Sequence, residues 1–206
     1  MSLLLGKEEH GVIVGQTRTG KTALAKWLLL PRTGNLAIID PKGDFDFTDC
    51  RVISDPFALR RIKPKRFVYR PSAKYFDDLN AYDAVYRYVY EQGHFFCYTD
   101  EVVAVVKGVR YPRYFRLCYQ MGASKQIKML SVTQRPSCVP PFIMSEAAKW
   151  FVFTLTIPAD VDKMRKVLPG YTAKLPDKHT FQYYDIFRDD TRQLIRLTPV
   201  SSTPGG

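Results

Sequence analysis

The chain contains the run Gly15-Gln16-Thr17-Arg18-Thr19-Gly20-Lys21-Thr22, which matches the pattern G-x-x-x-x-G-K-S/T at every fixed position. The apolar residues 11–14 precede this run and have the short, β-branched character of a buried parallel strand. Strong helix formers follow at residues 23–30, and Pro31 ends that segment. Because the motif lies between a predicted strand and a predicted helix, we interpret it as a phosphate-binding loop rather than an accidental glycine-rich turn.

This loop predicts a nucleotide site in which backbone N–H groups surround the phosphates and the following helix adds the positive end of its dipole. Lys21 is expected to reach the β- and γ-phosphates, and the Thr22 hydroxyl is expected to ligate Mg²⁺. The predicted cofactors are therefore ATP and Mg²⁺, with Arg18 lying over the base or the phosphates. The full set of predicted nucleotide contacts is Gly15, Gln16, Thr17, Arg18, Thr19, Gly20, Lys21, Thr22 and Ala23.

An acidic pair follows a second apolar run, at residues 95–99. Asp100, at the carboxyl end of this predicted strand, is expected to contact Mg²⁺ through its water shell. Glu101 is placed to polarise the attacking water as a general base. Either acid alone is compatible with a solvated strand end, but adjacent acids downstream of a phosphate-binding loop favour hydrolysis over passive nucleotide binding.

A polar tip follows a further predicted strand, at residues 127–132, in the order Thr133-Gln134-Arg135-Pro136. A side-chain amide at this place can touch the γ-phosphate and respond to hydrolysis. We therefore add Gln134 to Lys21, Asp100 and Glu101 as the predicted catalytic residues.

Strand and helix patterns alternate along most of the chain, which predicts a three-layer α/β fold around a mostly parallel sheet. Further strands are predicted at residues 36–40, 67–69 and 149–155, with an antiparallel edge strand at 193–197. Helices are predicted at residues 80–92, 112–121 and 159–167. We expect one domain over residues 1–200 and a flexible tail over residues 201–206.

Composition narrows the function classes. The 206 residues include 31 Lys and Arg against 20 Asp and Glu, a formal net charge of +11. This excess favours a polyanionic partner, with solubility as the alternative that charge alone leaves open. The apolar runs are too short for a membrane span, the start does not have the pattern of a signal peptide, and the cysteines are too scattered for a disulfide frame or zinc site.

Together these motifs resemble the FtsK-HerA superfamily of DNA-pumping P-loop ATPases. The resemblance rests on the phosphate-binding loop, Asp40-Pro41-Lys42-Gly43-Asp44, the acidic pair and Thr133-Gln134-Arg135-Pro136-Ser137. It extends over roughly residues 10–170, because residues 161–171 also resemble the segment that follows the sensor strand in that family. Within the superfamily, the near-minimal ATPase core is most similar to the genome-packaging ATPases of tailless, internal-membrane double-stranded DNA viruses.

The resemblance implies a RecA-like P-loop fold and an ATP-driven motor that moves double-stranded DNA into a capsid. It also implies assembly into a ring, expected to be a hexamer, and association with capsid or vertex proteins. The expected location is the host cytoplasm or the packaging vertex of the virion.

One departure from the family concerns the arginine finger. Many relatives have a Gly-Arg pair before the sensor strand, whereas this chain has Gly122-Ala123-Ser124-Lys125. The candidates that remain are Arg110, Arg113, Arg116 and Arg135, and each is also compatible with an ordinary surface arginine.

Two basic segments are candidates for DNA contact. Residues 60–66 are dense in Lys and Arg and are predicted to form a loop because Pro64 interrupts them. Residues 107–113 follow the acidic pair, and we favour them as a pore loop whose backbone contacts with DNA are sequence-independent and salt-sensitive. The predicted contacts are Lys107, Arg110, Tyr111 and Arg113.

Other functions remain open at this stage. A plasmid or conjugation pump, or a filamentous-phage assembly ATPase, belongs to the same superfamily. A small P-loop nucleotide kinase fits the size of the chain, although the Asp-Glu pair argues against it. A DNA-binding protein that binds nucleotide without hydrolysing it is the remaining alternative.

Overall fold

The computed structural model describes residues 3–6, 9–186 and 193–197. The predicted flexible tail, residues 201–206, lies outside the described residues, and the single domain over residues 1–200 remains a prediction.

One sheet runs through the described part of the chain. Its nine strands are β1 (His10–Val14), β2 (Asn35–Ile39), β3 (Arg51–Ile53), β4 (Arg66–Tyr69), β5 (Phe95–Thr99), β6 (Lys128–Thr133), β7 (Ala147–Val152), β8 (Thr180–Asp185) and β9 (Gln193–Arg196). The strand order is β3-β4-β2-β5-β6-β1-β7-β8-β9. Strands β1 to β7 are parallel to one another, and β8 and β9 add antiparallel pairs at one edge. The predicted α/β fold with a mostly parallel sheet is confirmed.

Helices cover both faces of the sheet. In the described residues they are α1 (Lys21–Leu29), α2 (Leu59–Ile62), α3 (Leu79–Gln92), α4 (Val102–Val105), α5 (Arg113–Gln120), α6 (Pro141–Glu146) and α7 (Pro158–Val167). Successive β1 residues point to opposite faces, so Ile13 joins the core beneath α1, whereas Val12 and Val14 join the core beneath α3, α5, α6 and α7. The result is the expected three-layer arrangement.

The strand order places the site. Strand β6 lies between β1 and β5, so the segment after β6 separates the phosphate-binding loop from the acidic pair. Because β1, β2, β5, β6 and β7 are parallel, the segments that follow them meet at one edge of the sheet.

Several elements differ from the sequence-based expectation. Strand β8 and the short strand β3 were not predicted, and neither were the short helices α2, α4 and α6. The basic loop predicted at residues 60–66 is wrong at both ends, because α2 continues to Ile62 and β4 begins at Arg66. Pro64 follows the end of the helix and does not disrupt it, since the left-handed Lys63, at φ 49°, already ends α2.

No helix in the described residues combines the length and apolar character needed to cross a bilayer.

Candidate functional site: a phosphate-binding loop facing an acidic pair

The phosphate-binding loop is anchored to the two strands beside β1. The Gly15 N–H donates to the Thr133 carbonyl at the end of β6, and the Gln16 N–H donates to the Thr154 carbonyl after β7, each at 3.2 Å. Gly20 has a φ of 104°, a backbone conformation that favours glycine, and α1 begins at the next residue. The sequence therefore forms a fixed turn at the N-terminus of α1, where backbone N–H groups attract anions.

Lys21 lies inside this turn. Its Nζ donates to the Gln16 carbonyl at 2.5 Å, so the side chain curls back over the loop. Burial lowers the pKa of Lys21 to about 8, and the negative charges of Glu101 and Asp100 partly oppose that shift. Thr22 is half-buried in the first turn of α1, while Arg18, at φ 64°, and Ala23 are exposed.

Asp100 is buried at the end of β5. The Tyr98 hydroxyl donates to its Oδ1 at 2.8 Å, and its backbone N–H donates to the Ile39 carbonyl at the end of β2. Its Oδ2 accepts no hydrogen bond from the described residues. Burial raises the pKa of Asp100, an effect that the charge of Lys42 opposes. A buried carboxylate oxygen without a donor, beside a phosphate-binding loop, fits the oxygen ligation that Mg²⁺ prefers.

Glu101 links the acidic pair to the segment after β6. Its backbone is left-handed at φ 67°, a conformation that is uncommon for a residue other than glycine and that occurs at functional sites. Its Oε1 lies 3.4 Å from the donating Gln134 N–H, and its Oε2 lies 3.4 Å from Lys42 Nζ. The carboxylate is thus held between the segment after β6 and the Lys42 ammonium group.

Gln134 contacts the phosphate-binding loop directly. The Thr17 hydroxyl donates to Gln134 Oε1 at 2.7 Å. Gln16, Thr17, Gln134, Arg135 and Ile157 line a cavity of about 310 Å³ at this point. The structure therefore brings Gln134, Glu101 and the loop together.

Sequence reasoning assigned no role to Lys42, which lies 3.4 Å from Glu101 and 3.9 Å from Asp100. It belongs to the Asp40–Asp44 run that carried part of the resemblance. Asp40 is fully buried and accepts the N–H groups of Gly43, Asp44 and Phe45, so it folds this run into a tight turn that presents Lys42. The position of the run after β2, beside β5, was the available signal.

Asp160, on α7, was also missed. It is fully buried and accepts hydrogen bonds from the Ser137 N–H at 3.0 Å, the Ser137 hydroxyl at 2.5 Å and Arg135 Nε at 2.9 Å. One carboxylate therefore holds the segment after Gln134 against α7. Arg135, a candidate arginine finger, is committed to this ion pair.

The other arginine candidates lie apart from the nucleotide loop in sequence and on the surface of the chain. Arg110, Arg113 and Arg116 are exposed and form no ion pair within the described residues. They remain candidates for a contact in trans.

The predicted pore loop forms a tight turn. The Lys107 N–H donates to the Arg110 carbonyl at 2.8 Å, and Val109 at the tip is 92% exposed. Lys107 Nζ pairs with Asp77, and the Tyr111 ring packs against Phe142 with centroids 5.1 Å apart. Of the four predicted DNA contacts, Arg110 and Arg113 are therefore the side chains left exposed and unpaired within the described residues.

No protein-family model matches the chain. A curated relative, the DNA packaging ATPase P9 of Enterobacteria phage PRD1, is 26% identical over 205 residues, covering 92% of this chain and 86% of the relative. The genome packaging NTPase B204 of Sulfolobus turreted icosahedral virus 2, solved in complex with sulfate, matches at a TM-score of 0.76 and 15% identity, covering 94% of this chain and 98% of that one. The predicted resemblance is confirmed.

Other solved proteins share this fold. The pCW3 conjugation coupling protein TcpA matches at a TM-score of 0.59 and 16% identity, and 92% of this chain aligns with 60% of that protein. At this identity the likeness concerns the fold alone.

Proposed function

We propose that this chain is a viral DNA-packaging ATPase that hydrolyses ATP to move double-stranded DNA into a capsid. The likeness to the PRD1 packaging ATPase extends over nearly the whole of both chains, which supports packaging over the other functions of the fold. The observation that carries hydrolysis is the contact chain Thr17–Gln134–Glu101, which joins the phosphate-binding loop to a carboxylate at the carboxyl edge of the sheet.

Each residue has a role that follows from its place. Lys21 and the loop N–H groups would bind the phosphates, and Glu101 would take a proton from the attacking water. Gln134 would exchange its contact with Thr17 for one with the γ-phosphate. Thr22 and Asp100 would hold Mg²⁺, which neutralises charge on the phosphate oxygens when it is bound.

DNA binding and ring assembly extend the proposal. The net charge of +11 suits a polyanion, and Arg110 and Arg113 beside the exposed Val109 turn would contact the phosphate backbone. A ring, with a hexamer as the first expectation, would bring Arg110, Arg113 or Arg116 of one subunit to the nucleotide of the next. Capsid or vertex proteins in the host cytoplasm would then be the remaining partners.

The alternatives fit less well. The conjugation protein shares the fold at 16% identity, whereas the packaging relative shares 26% of residues over 92% of this chain. A nucleotide kinase has no evident use for Glu101, whose carboxylate faces Gln134 and Lys42. A non-hydrolysing DNA-binding protein would leave the same acid without a role.

The decisive experiment measures ATP hydrolysis with and without double-stranded DNA across a series of salt concentrations. We expect stimulation by DNA that weakens with salt, because log K for DNA binding falls by about 0.9 per neutralised phosphate for each tenfold rise in salt concentration. Lys21→Ala and Glu101→Gln should abolish hydrolysis. The matched controls Lys166→Ala and Glu91→Gln remove the same charges from exposed positions and should leave it unchanged.

The proposal fails if the pure protein hydrolyses no ATP in the presence of DNA, or if Glu101→Gln hydrolyses ATP at the rate of the unmodified protein. Mass measurement in ATP separates the alternatives further, since a motor forms a ring and a nucleotide kinase stays a monomer.

A further inference from the structure

A cavity of about 390 Å³ opens at the amino-terminal edge of the sheet, at the opposite ends of the strands from the phosphate-binding loop. The turn after α1 and the beginnings of β2, β5 and β6 form its walls. A strand of five residues is about 17 Å long, so the length of the strands separates this cavity from the phosphate-binding loop. The volume falls in the usual range of small-molecule sites, about 300–1,000 Å³.

The walls are basic. Arg32, His94 and Lys128 line the cavity, and no Asp or Glu is among the described residues that line it. Basic side chains on a concave wall concentrate positive potential, which favours an anionic ligand.

The Arg32 side chain is fixed by contacts with Phe96 and Leu28. Its guanidinium carbon lies 4.4 Å from the centroid of the Phe96 ring, and its Nε donates to the Leu28 carbonyl at 3.3 Å. Its Nη2 is buried and has no acceptor within the described residues. Burial also lowers the pKa of Arg32, as expected for a cation without a facing carboxylate. A ligand oxygen would satisfy this donor.

The turn that carries Arg32 is fixed before any ligand binds. Arg66 Nη1 donates to the carbonyls of Arg32 and Gly34, each at 2.8 Å. A side chain added at Gly34 would meet nothing within 4 Å, so the space beside the turn is open. A fixed turn lowers the entropy lost on binding.

We propose that this cavity binds a small organic anion through a phosphoryl or carboxylate group, with the Arg32 guanidinium as the principal donor. The site is separate from the ATP site and does not depend on the proposed packaging function.

The test is a two-dimensional amide NMR titration of the full chain carrying Lys21→Ala, which removes the principal phosphate contact of the nucleotide loop. Phenyl phosphate and benzoate are the probes, so that the two arms distinguish a phosphoryl ligand from a carboxylate. We expect at least one probe to shift the Gly34, His94 and Gln126 amides saturably.

Arg32→Gln should weaken that binding by about tenfold or more, since a charged hydrogen-bond donor is lost. Gln126→Glu places a carboxylate on the wall at nearly constant size and should weaken it similarly, which keeps the test valid if Arg32→Gln does not fold. The control Arg165→Gln removes the same charge from an exposed position on α7 and should change binding by less than about twofold.

Three results would overturn the proposal. They are no saturable shift with either probe, shifts centred on residues 15–22, or an equal loss of binding in Arg32→Gln and Arg165→Gln, which would indicate general charge attraction.

Discussion

We predict that the buried imidazole of His10 makes the stability of this protein depend on pH. The ring is 3% exposed, its Nδ1 accepts the Met129 N–H at 3.0 Å, and its Nε2 lies 3.0 Å from the Tyr119 carbonyl. These contacts require a neutral ring protonated on Nε2, since a proton on Nδ1 would oppose the Met129 N–H. Burial lowers the pKa of His10 from 6.5 to about 4, against a smaller opposite effect of the Tyr119 contact.

The sign of the effect follows from proton linkage. Between pH 6.5 and 4 the unfolded chain binds a proton at His10 that the folded chain does not, so the free energy of unfolding falls as the pH falls. The shift corresponds to about 3 kcal/mol when fully expressed below pH 4, and to about 2 kcal/mol between pH 7.5 and 5.0. Above about pH 7.5 the contribution of His10 is flat.

Urea unfolding at pH 5.0 and 7.5 measures this effect, with His10→Gln as the comparison because a glutamine cannot titrate. The unmodified protein should lose about 2 kcal/mol more than His10→Gln between these pH values. Two results would refute the reasoning: an equal loss of unfolding free energy in the two proteins, or an NMR titration of the His10 imidazole above pH 6. Protonation of His10 would also affect the phosphate-binding loop, because His10 begins β1, the strand that precedes this loop.

Three further predictions concern the site. Lys42→Met should lower kcat by about tenfold with KM for ATP nearly unchanged, because Glu101 loses the cation that positions it. Lys42→Arg should retain most of the rate, and a change in KM without a change in kcat would contradict this role. Asp160→Asn should lower the free energy of urea unfolding by about 2 kcal/mol, because a neutral amide cannot accept the three hydrogen bonds that the buried carboxylate accepts. A loss below about 0.5 kcal/mol would contradict this prediction. Gly20→Ala should cost about 1–2 kcal/mol in the same assay, since φ at this position is 104°; an unchanged urea midpoint would show that the loop adopts another conformation.

Local sequence predicted the strand–loop–helix unit around the phosphate-binding loop, the strand before Asp100 and the strand before Gln134. These elements depend on apolar runs, glycine positions and helix formers within a few residues of each other. The same local reasoning failed at residues 60–66, where Pro64 suggested a loop. The apolar side chains of Leu59 and Ile62 instead pack against the core, which stabilises the short helix α2. It also missed β8, because the aromatic residues of β8 do not indicate a strand until the antiparallel pairing with β7 is known.

The sequence by itself predicted a phosphate-binding loop and an acidic pair after a buried strand, because both features are contiguous. Only the tertiary structure decided that β6 separates them and that Gln134 contacts both. It also decided that Lys42 faces Glu101 across 59 positions of the chain, and that Asp160 holds Arg135 across 25. The physical reason is that charge pairing and strand order bring together residues that are distant in the chain, whereas a sequence motif contains only neighbouring residues.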